Sequence, residues 1–414
     1  MKKTLLAAAL FAGFAGFAGA AQAETQVTLY GILDTGVEFN NIKTASNNTQ
    51  GPNGSNLPSY STVGLDSGNQ SGSRWGMKGT EDLGGGTQVT FVLESGFQVT
   101  RGVSNQGSRL FGRRAFLGLQ NASWGMVRVG RGPTISTDMF QGGDADPFGY
   151  AFGPFQLGEI STATNTYRTD NQVGYMSPVF AGFQVGAGYS FNVDNGASTP
   201  GGTSISSYGV NEPMNQRQQG FDLAGTYTNG PLFLGVTYGQ TNSMSALSSN
   251  GLSGHIRQIT LDGSYDFQVL RVYGAYVRGW NGLVGGPSGI STGDGSYSIN
   301  TQPSKNATAY SGFTPTGNYY YSGMKQSAFM LGVSAPIGSA TRIFATYQHQ
   351  TLGGGAKSGW ANGKGSAQNT FAVGSTYSLS KRTNLYGVIG YVDGLGNISG
   401  QKETAAVVGM RHQF

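Results

Sequence analysis

Charged side chains of both signs are concentrated in and around one part of the chain, residues 133–167. The acids within it are Asp138, Asp144, Asp146 and Glu159, and the arginines beside it are Arg128, Arg131 and Arg168. Carboxylates that face guanidinium groups across a narrow aqueous space create a transverse electric field. Such a field orients polar solutes and disfavours apolar ones, which cannot replace the water that the charges order.

The 133–167 segment shows no strand or helix pattern, although short alternating strands are predicted on both sides of it. A connection of roughly 35 residues in a compact protein is usually either functional or disordered. Its apolar residues argue against disorder. They are Met139, Phe140, Phe148, Tyr150, Phe152 and Phe155. The sequence therefore predicts a loop that is pinned inside a lumen.

The strands that would position these charges alternate between polar and apolar residues. On the strand predicted at 73–80, Arg74 and Lys78 share one face, while Trp75 and Met77 share the other. A charge on a lipid-facing wall costs about 2 to 4 kcal/mol near the bilayer midplane. The strand charges are therefore predicted to face inward, and they include Arg74, Lys78, Arg128 and Arg168.

Period-two alternation recurs along most of the chain and predicts about 16 strands. They span 26–40, 73–80, 87–100, 110–121, 126–131, 168–177, 183–192, 216–228, 232–242, 255–265, 269–280, 325–335, 341–350, 367–378, 383–393 and 402–414. Residues 41–72 are predicted to be a polar loop. Tight turns alternate with long loops, the largest of which is 281–323, and this rhythm is typical of outer-membrane barrels. With 70 glycines, 12% aromatic and 11% charged residues, the predicted fold is an all-β, transmembrane antiparallel barrel.

The N-terminus has the three parts of a secretory signal peptide: two lysines, an apolar run and an A-x-A site ending at Ala23. We expect residues 1–23 to be removed and residues 24–414 to form one barrel domain. Loss of Lys2 and Lys3 lowers the formal charge from +5 to +3, which is too small to indicate nucleic-acid binding. The chain has no cysteine, so disulfides and thiolate metal sites are excluded.

Several motifs together resemble the general porins of Gram-negative bacteria, in particular the trimeric porins of β-proteobacteria. They are the residues at 27–31, 73–84, 115–119, 129–131 and 408–414. The resemblance implies that the third external loop folds into the barrel and faces a ladder of arginines. By position, Arg74, Arg113 and Arg168 match the ladder, and Asp138, Asp144 and Asp146 match the loop acids. Strict alternation allows only one of Arg113 and Arg114 to face the lumen. The motif favours Arg113, with Arg114 reaching the interface.

The resemblance also implies a function and a set of partners. We expect a water-filled channel in the Gram-negative outer membrane for passive diffusion of small hydrophilic solutes and ions, without a cofactor. A homotrimer, contact with membrane lipid and lipopolysaccharide, and insertion by the barrel-assembly machinery are implied as well. The C-terminal Phe414 would be the assembly signal.

Other functions have weaker support in the sequence. A substrate-specific channel is the main alternative, for which the only dense aromatic cluster is residues 319–321, and a surface adhesin would explain the glycine and serine content. Asp144 and Asp146 supply two carboxylates at alternate positions, but a full calcium loop needs more oxygen ligands. The three histidines are scattered, and the nucleophile-elbow string at 289–293 lies in a glycine-serine loop. We therefore expect neither a metal site nor an enzyme.

Overall fold

The computed structural model describes residues 26–44, 59–107, 109–141, 145–149, 152, 167–193, 219–242, 255–281, 324–354, 367–395 and 399–414. Several predicted features lie outside these ranges. They are the signal peptide, Asp144, Glu159, Tyr150, Phe155, almost all of the 281–323 loop and its aromatic cluster at 319–321.

The described residues form seventeen strand segments and one helix. The strands are β1 (Gln26–Thr44), β2 (Tyr60–Ser67), β3 (Arg74–Asp82), β4 (Thr87–Gly96), β5 (Arg114–Asn121), β6 (Gly125–Pro133), β7 (Arg168–Met176), β8 (Phe183–Ser190), β9 (Gly220–Asn229), β10 (Leu232–Asn242), β11 (His255–Asp266), β12 (Arg271–Trp280), β13 (Met324–Ile337), β14 (Thr341–Gly354), β15 (Gln368–Ser378), β16 (Thr383–Asp393) and β17 (Gln401–Gln413). The helix α1 (Ile135–Gln141) lies between β6 and β7.

The strands form one closed antiparallel sheet. From β3 to β17 each strand pairs with the next, and β17 pairs with β1. The other edge of β1 pairs with β3 along residues 26–32 and with β2 along residues 35–42. Because β2 and β3 share one edge of β1, the seventeen segments occupy sixteen positions around the barrel. This topology confirms the predicted antiparallel barrel of about 16 strands.

Two elements differ from the prediction. Strand β2 lies within residues 41–72, which were predicted to be a loop. Its Val63 and Leu65 are exposed on the outer face, so β2 does have the period-two alternation of a strand. The prediction missed it because Ser, Asn and Gly are so frequent in the surrounding sequence. Helix α1 lies in the 133–167 segment, which was predicted to lack a helix. It is shorter than two turns, too short to produce a recognisable helical period.

The two faces of the wall have opposite character. Large apolar side chains such as Leu29, Leu117 and Val236 are exposed on the outer face. Inward positions of the same sheet hold buried polar groups, including Thr237, Gln258 and Thr260. This is the distribution that a barrel needs when lipid surrounds it and its interior is polar. Within the described ranges, no helix is long and apolar enough to cross a membrane.

Candidate functional site

Helix α1 begins with a sequence-encoded cap. The Thr134 hydroxyl accepts a hydrogen bond from the Thr137 backbone N–H at 3.2 Å, which is the position of an N-cap residue. The wall supplies a second acceptor, since Asp222 Oδ2 on β9 accepts from both the N–H and the hydroxyl of Ser136, each at 2.7 Å. These bonds satisfy backbone donors at the start of the helix that have no partner within it.

Glycines on the inner face of the wall make room for α1. A Cβ atom built at Gly186 on β8 would lie 2.6 Å from Ile135 Cγ2, and one at Gly235 on β10 would lie 2.7 Å from Phe140 Cζ. Real Cβ atoms do not approach other atoms so closely. The helix can therefore sit against β8 and β10 only because these two positions lack side chains.

The 133–167 segment then reaches the other side of the barrel interior. Phe148 packs against Phe344 of β14, with ring centroids 4.6 Å apart, and Phe152 packs against Tyr386 of β16 at 5.4 Å. The Phe152 N–H donates to the Gln70 carbonyl oxygen at 3.2 Å. Because Phe344 and Tyr386 are inward residues of the wall, the described parts of the segment lie against the inner face.

Asp138 of α1 is held by two arginines of the wall. Arg114 on β5 donates from Nη1 to Oδ2 at 3.1 Å and from Nη2 to Oδ1 at 2.6 Å. Arg128 on β6 also pairs with Asp138 and donates from Nη2 to the Pro133 carbonyl oxygen at 2.6 Å. Burial acts to raise the pKa of Asp138, but the two guanidinium groups outweigh it and hold the pKa below its ordinary value.

The positions of Arg113 and Arg114 correct the prediction made for this pair. Arg114 does not reach the interface: it is the first residue of β5, shares the inward face with Phe116 and binds Asp138. Arg113 is buried, with 4% exposed, and its Nε lies 2.7 Å from Glu94 Oε1. The alternation rule failed because Arg113 precedes the regular strand, so both side chains can turn inward.

The other predicted site residues are not all in one place. Arg74 Nε donates to the Gly72 carbonyl oxygen at 2.8 Å. Lys78 is exposed and lies 5.6 Å from the centre of the Tyr30 ring. Arg168 begins β7 and stacks on the Tyr167 ring at 4.4 Å. These three belong to the same part of the wall as Arg114 and Arg128, since β3 to β7 are successive strands.

Asp146 lies on a different part of the interior. Its side chain is 3% exposed, and its Oδ1 accepts from the Phe148 N–H at 3.0 Å. The residue before it, Ala145, packs with Phe233 of β10. Asp146 is therefore placed near the β10 to β13 wall, and it interacts electrostatically with Asp262 of β11.

Sequence reasoning did not single out Asp170 or Arg109. Asp170 on β7 accepts from Arg109 Nη1 at 2.9 Å and also pairs with Arg131. Asp170 follows Arg168 by two residues, so strand alternation could have placed both on the inward face. Arg109 gave no such signal because it lies in an irregular stretch before β5.

Arginines are concentrated on this side of the barrel. We use the term arginine wall for the arginines of the described residues between β3 and β7 that face or border the interior: Arg74, Arg109, Arg113, Arg114, Arg128, Arg131 and Arg168. Among the residues that the structure describes, Glu94, Asp138 and Asp170 form ion pairs with arginines of this wall. Guanidinium groups therefore border the inserted segment along several successive strands.

Comparison with known sequences identifies close relatives along the entire chain. The family model for Gram-negative porins matches residues 6–397. An outer membrane porin protein of Bordetella pertussis is 40% identical over 424 residues, which cover 100% of both chains. Outer membrane porin protein 32 of Delftia acidovorans is 28% identical over 440 residues, again covering 100% of both. These relatives are porins, which are channels rather than enzymes.

Solved structures give the same result. The anion-selective porin from Comamonas acidovorans is 25% identical, with a TM-score of 0.63 over 94% of this chain and 100% of that one. Salmonella typhi OmpF, at 16% identity and a TM-score of 0.58, covers 94% of this chain and 97% of its own and shows the same fold. From its barrel topology and its match to the family model over residues 6–397, this chain belongs to the Gram-negative porin family.

Proposed function

We propose that the 133–167 segment and the arginine wall together form the selectivity constriction of this outer-membrane porin. The chain forms a water-filled channel for passive diffusion of small hydrophilic solutes and ions. The observation that supports the proposal most directly is that Asp138 of the inserted helix is bound by Arg114 and Arg128 of the wall. We call this arrangement the arginine clamp. The clamp holds the segment beside a charged surface, where it narrows the aqueous path. Arg74, Lys78 and Arg168 then line the same path.

The constriction should favour anions. The arginine wall places seven guanidinium groups beside the inserted segment, and low-dielectric walls focus the field of charges that line a narrow lumen. The relative from Comamonas acidovorans, which is 25% identical, is described as anion-selective. A positive field attracts anions into the narrow region and repels cations from it.

A single-channel recording with a KCl gradient tests both statements. We expect a reversal potential on the anion side for the wild-type channel, and a shift towards cation preference for Arg74→Glu. The shift should shrink as salt rises, because the screening length at 1 M is only about 3 Å.

Arg382→Glu is the matched control, since it makes the same change of charge in an exposed turn between β15 and β16. It should leave the reversal potential almost unchanged. Equal shifts for Arg74→Glu and Arg382→Glu would overturn the constriction, and a cation-selective wild-type channel would overturn the anion preference.

We also propose that the protein works as a homotrimer in contact with outer-membrane lipid and lipopolysaccharide. An apolar outer face can pack partly against lipid and partly against a neighbouring subunit. The folded protein should migrate as a trimer in unheated detergent gels and as a monomer after heating. Chemical cross-linking that stops at one or two subunits would contradict the trimer.

A further inference from the structure

A buried carboxylate on β11 has no hydrogen-bond donor within the described ranges. Asp262 is 5% exposed, and neither of its carboxylate oxygens has a hydrogen-bond partner there. The hydroxyl of Ser264, two residues along the same inward face, is also buried and without a partner among the described residues. Burying an ionised carboxylate without a compensating charge or donor is strongly unfavourable. The charge of Asp262 must therefore be neutralised at this point of the wall, by a proton or by a cation.

The inserted segment brings a second carboxylate to the same place. Asp262 is the register partner of Gly235 on β10, and Phe140 of the inserted helix covers Gly235. On the other side of β11, the Pro147 ring lies against Gly332 of β13. Asp146 directly precedes Pro147, and its electrostatic interaction with Asp262 places it on the same part of the wall, between β10 and β13.

The electrostatic interaction between Asp146 and Asp262 supports this placement of Asp146. Asp146 is the charged neighbour that acts on Asp262, and the two carboxylates repel each other. Apolar side chains flank the pair across the wall, since Phe140 and Phe233 lie on one side and Ala275 and Met330 on the other. In such surroundings the repulsion of two carboxylates is poorly screened. The orientation of Asp146 is also fixed, because its Oδ1 accepts from the Phe148 N–H.

We propose that Asp146 and Asp262 bind one hard divalent cation that links the inserted segment to the barrel wall. Two carboxylates balance the charge of one divalent ion, and oxygen donors are the ligands that Ca²⁺ prefers. No group of three or more His, Cys, Asp or Glu residues suited to a metal lies among the described residues. The remaining positions of the coordination shell are thus assigned to the Ser264 hydroxyl, backbone carbonyl groups and water. Such an ion would hold the middle of the segment, as the arginine clamp holds its start.

Calcium titration of the protein tests this site. The full chain is refolded in detergent without lipopolysaccharide, treated with a chelator and titrated with Ca²⁺ in a calorimeter. We expect one saturable site per subunit, and a higher thermal unfolding temperature when it is filled. Asp262→Asn and Asp146→Asn should each abolish the site, while Asp266→Asn should retain it. Asp266 is a matched control because it is a partly exposed aspartate at the end of the same strand.

Two results would overturn the proposal. One is the absence of saturable Ca²⁺ binding to the wild-type chain, which would mean that the two carboxylates are neutralised by a proton instead. The other is wild-type binding in Asp146→Asn or Asp262→Asn. If Asp262→Asn does not fold, Ca²⁺ binding to Asp146→Asn tests the proposal on its own, because Asp146 lies outside the barrel strands and its substitution should not prevent folding. The reversal-potential test of the constriction is done in chelator, so failure of the cation site leaves that test intact.

Discussion

Asp138 shows how single residues fix the constriction. Its carboxylate receives Arg114 and Arg128, and Arg128 is further fixed by Gln172 Oε1, at 3.2 Å from Nε and 3.1 Å from Nη2. The face of the Phe116 ring lies 5.1 Å from the same guanidinium group. Charge-assisted bonds of this kind are about twice as strong as neutral ones. The two ion pairs therefore stabilise the inserted helix, and their arginines also contribute positive charge to the constriction.

The ion pairs of Asp138 predict a specific pH dependence of stability. Because the pKa of Asp138 is lowered in the folded state, the stabilisation is fully present above the unfolded pKa of about 3.9. It is lost as the pH falls through the lower folded pKa. Removing one partner of a buried pair costs about 3 to 5 kcal/mol. We expect Asp138→Asn to lower the unfolding temperature equally at pH 7 and pH 5, and the difference from wild type to shrink below about pH 4.

Asp393→Asn provides the comparison, since Asp393 is half exposed and its ion pair with Lys402 is 3.8 Å long. Exposed pairs contribute about 0 to 1 kcal/mol, so this variant should unfold close to wild type at every pH. A stability difference for Asp138→Asn that stayed constant down to pH 2 would rule out the proposed ionic role.

Sequence reasoning located the charged residues but not their pairing. Residue type and alternation predicted that Arg74 and Arg128 face the lumen and that the loop carrying Asp138 lies inside it, and the family resemblance implied that the two sets of charges face each other. They could not decide between Arg113 and Arg114, because the answer depends on where β5 begins. Asp146 was matched to the loop acids, but its neighbour Asp262 lies more than 100 positions away in sequence. Only the register of β10 and β11 brings the two together.

At the scale of elements, the inserted segment depends on the wall as much as on its own sequence. Helix α1 is far too short to be stable alone in water. Its Ile135, Met139 and Phe140 are buried against the wall, and Asp222 binds its first turn. This explains why sequence analysis found no helix here. The strands, whose alternation is imposed by lipid on one side and water on the other, were predicted mostly to within a few residues, and β10 at Leu232–Asn242 was predicted without error.

Adding a side chain at a wall glycine should displace the helix. In Gly186→Val the new atoms would overlap Ile135 and Met139, so α1 must move away from β8 and into the aqueous space. We expect lower single-channel conductance and more current noise, with the barrel itself still folded. Overpacking of this kind typically costs about 1 to 3 kcal/mol.

Gly274→Val on β12 is the control for this change. A Cβ atom at Gly274 has no heavy atom within 4 Å, so the same substitution should leave conductance unchanged. Wild-type conductance in Gly186→Val would mean that α1 does not narrow the channel. A similar loss in both variants would point to a general effect of valine on the barrel.

At the scale of the whole molecule, the barrel is closed by one pairing between residues that are far apart in sequence, that of β17 with β1. Residues 401–413 pair with residues 44–32, which joins the two ends of the described chain. Pairing of such distant residues is intrinsically slow, because the loop-closure entropy is lost before the contacts form. The final residue takes part in this closure, in addition to the assembly role that we predict for it. Val408, Met410 and Phe414 are exposed on the outer face.

Phe414 completes this closure and carries the last prediction. Its N–H donates to the Gly31 carbonyl oxygen, and its own carbonyl oxygen accepts from the Gly31 N–H, both at 3.1 Å. The Phe414 ring lies so close to Gly31 that a Cβ atom there would be 2.7 Å from Cε1. Deleting Phe414 removes both hydrogen bonds and an exposed aromatic side chain that suits the interfacial girdle. We expect a severalfold loss of heat-modifiable protein in the outer-membrane fraction, measured by gel electrophoresis.

Substitution can separate the two roles of this residue. Phe414→Ala keeps both backbone hydrogen bonds and loses only the ring, whereas Phe414→Tyr keeps the ring as well. If the aromatic ring is the assembly signal, Phe414→Ala should resemble the deletion and Phe414→Tyr should resemble wild type. Leu379→Ala, at an exposed turn residue, controls for the loss of apolar surface and should insert normally. Normal amounts of the folded deletion variant in the membrane would show that neither the ring nor the terminal hydrogen bonds are needed for assembly.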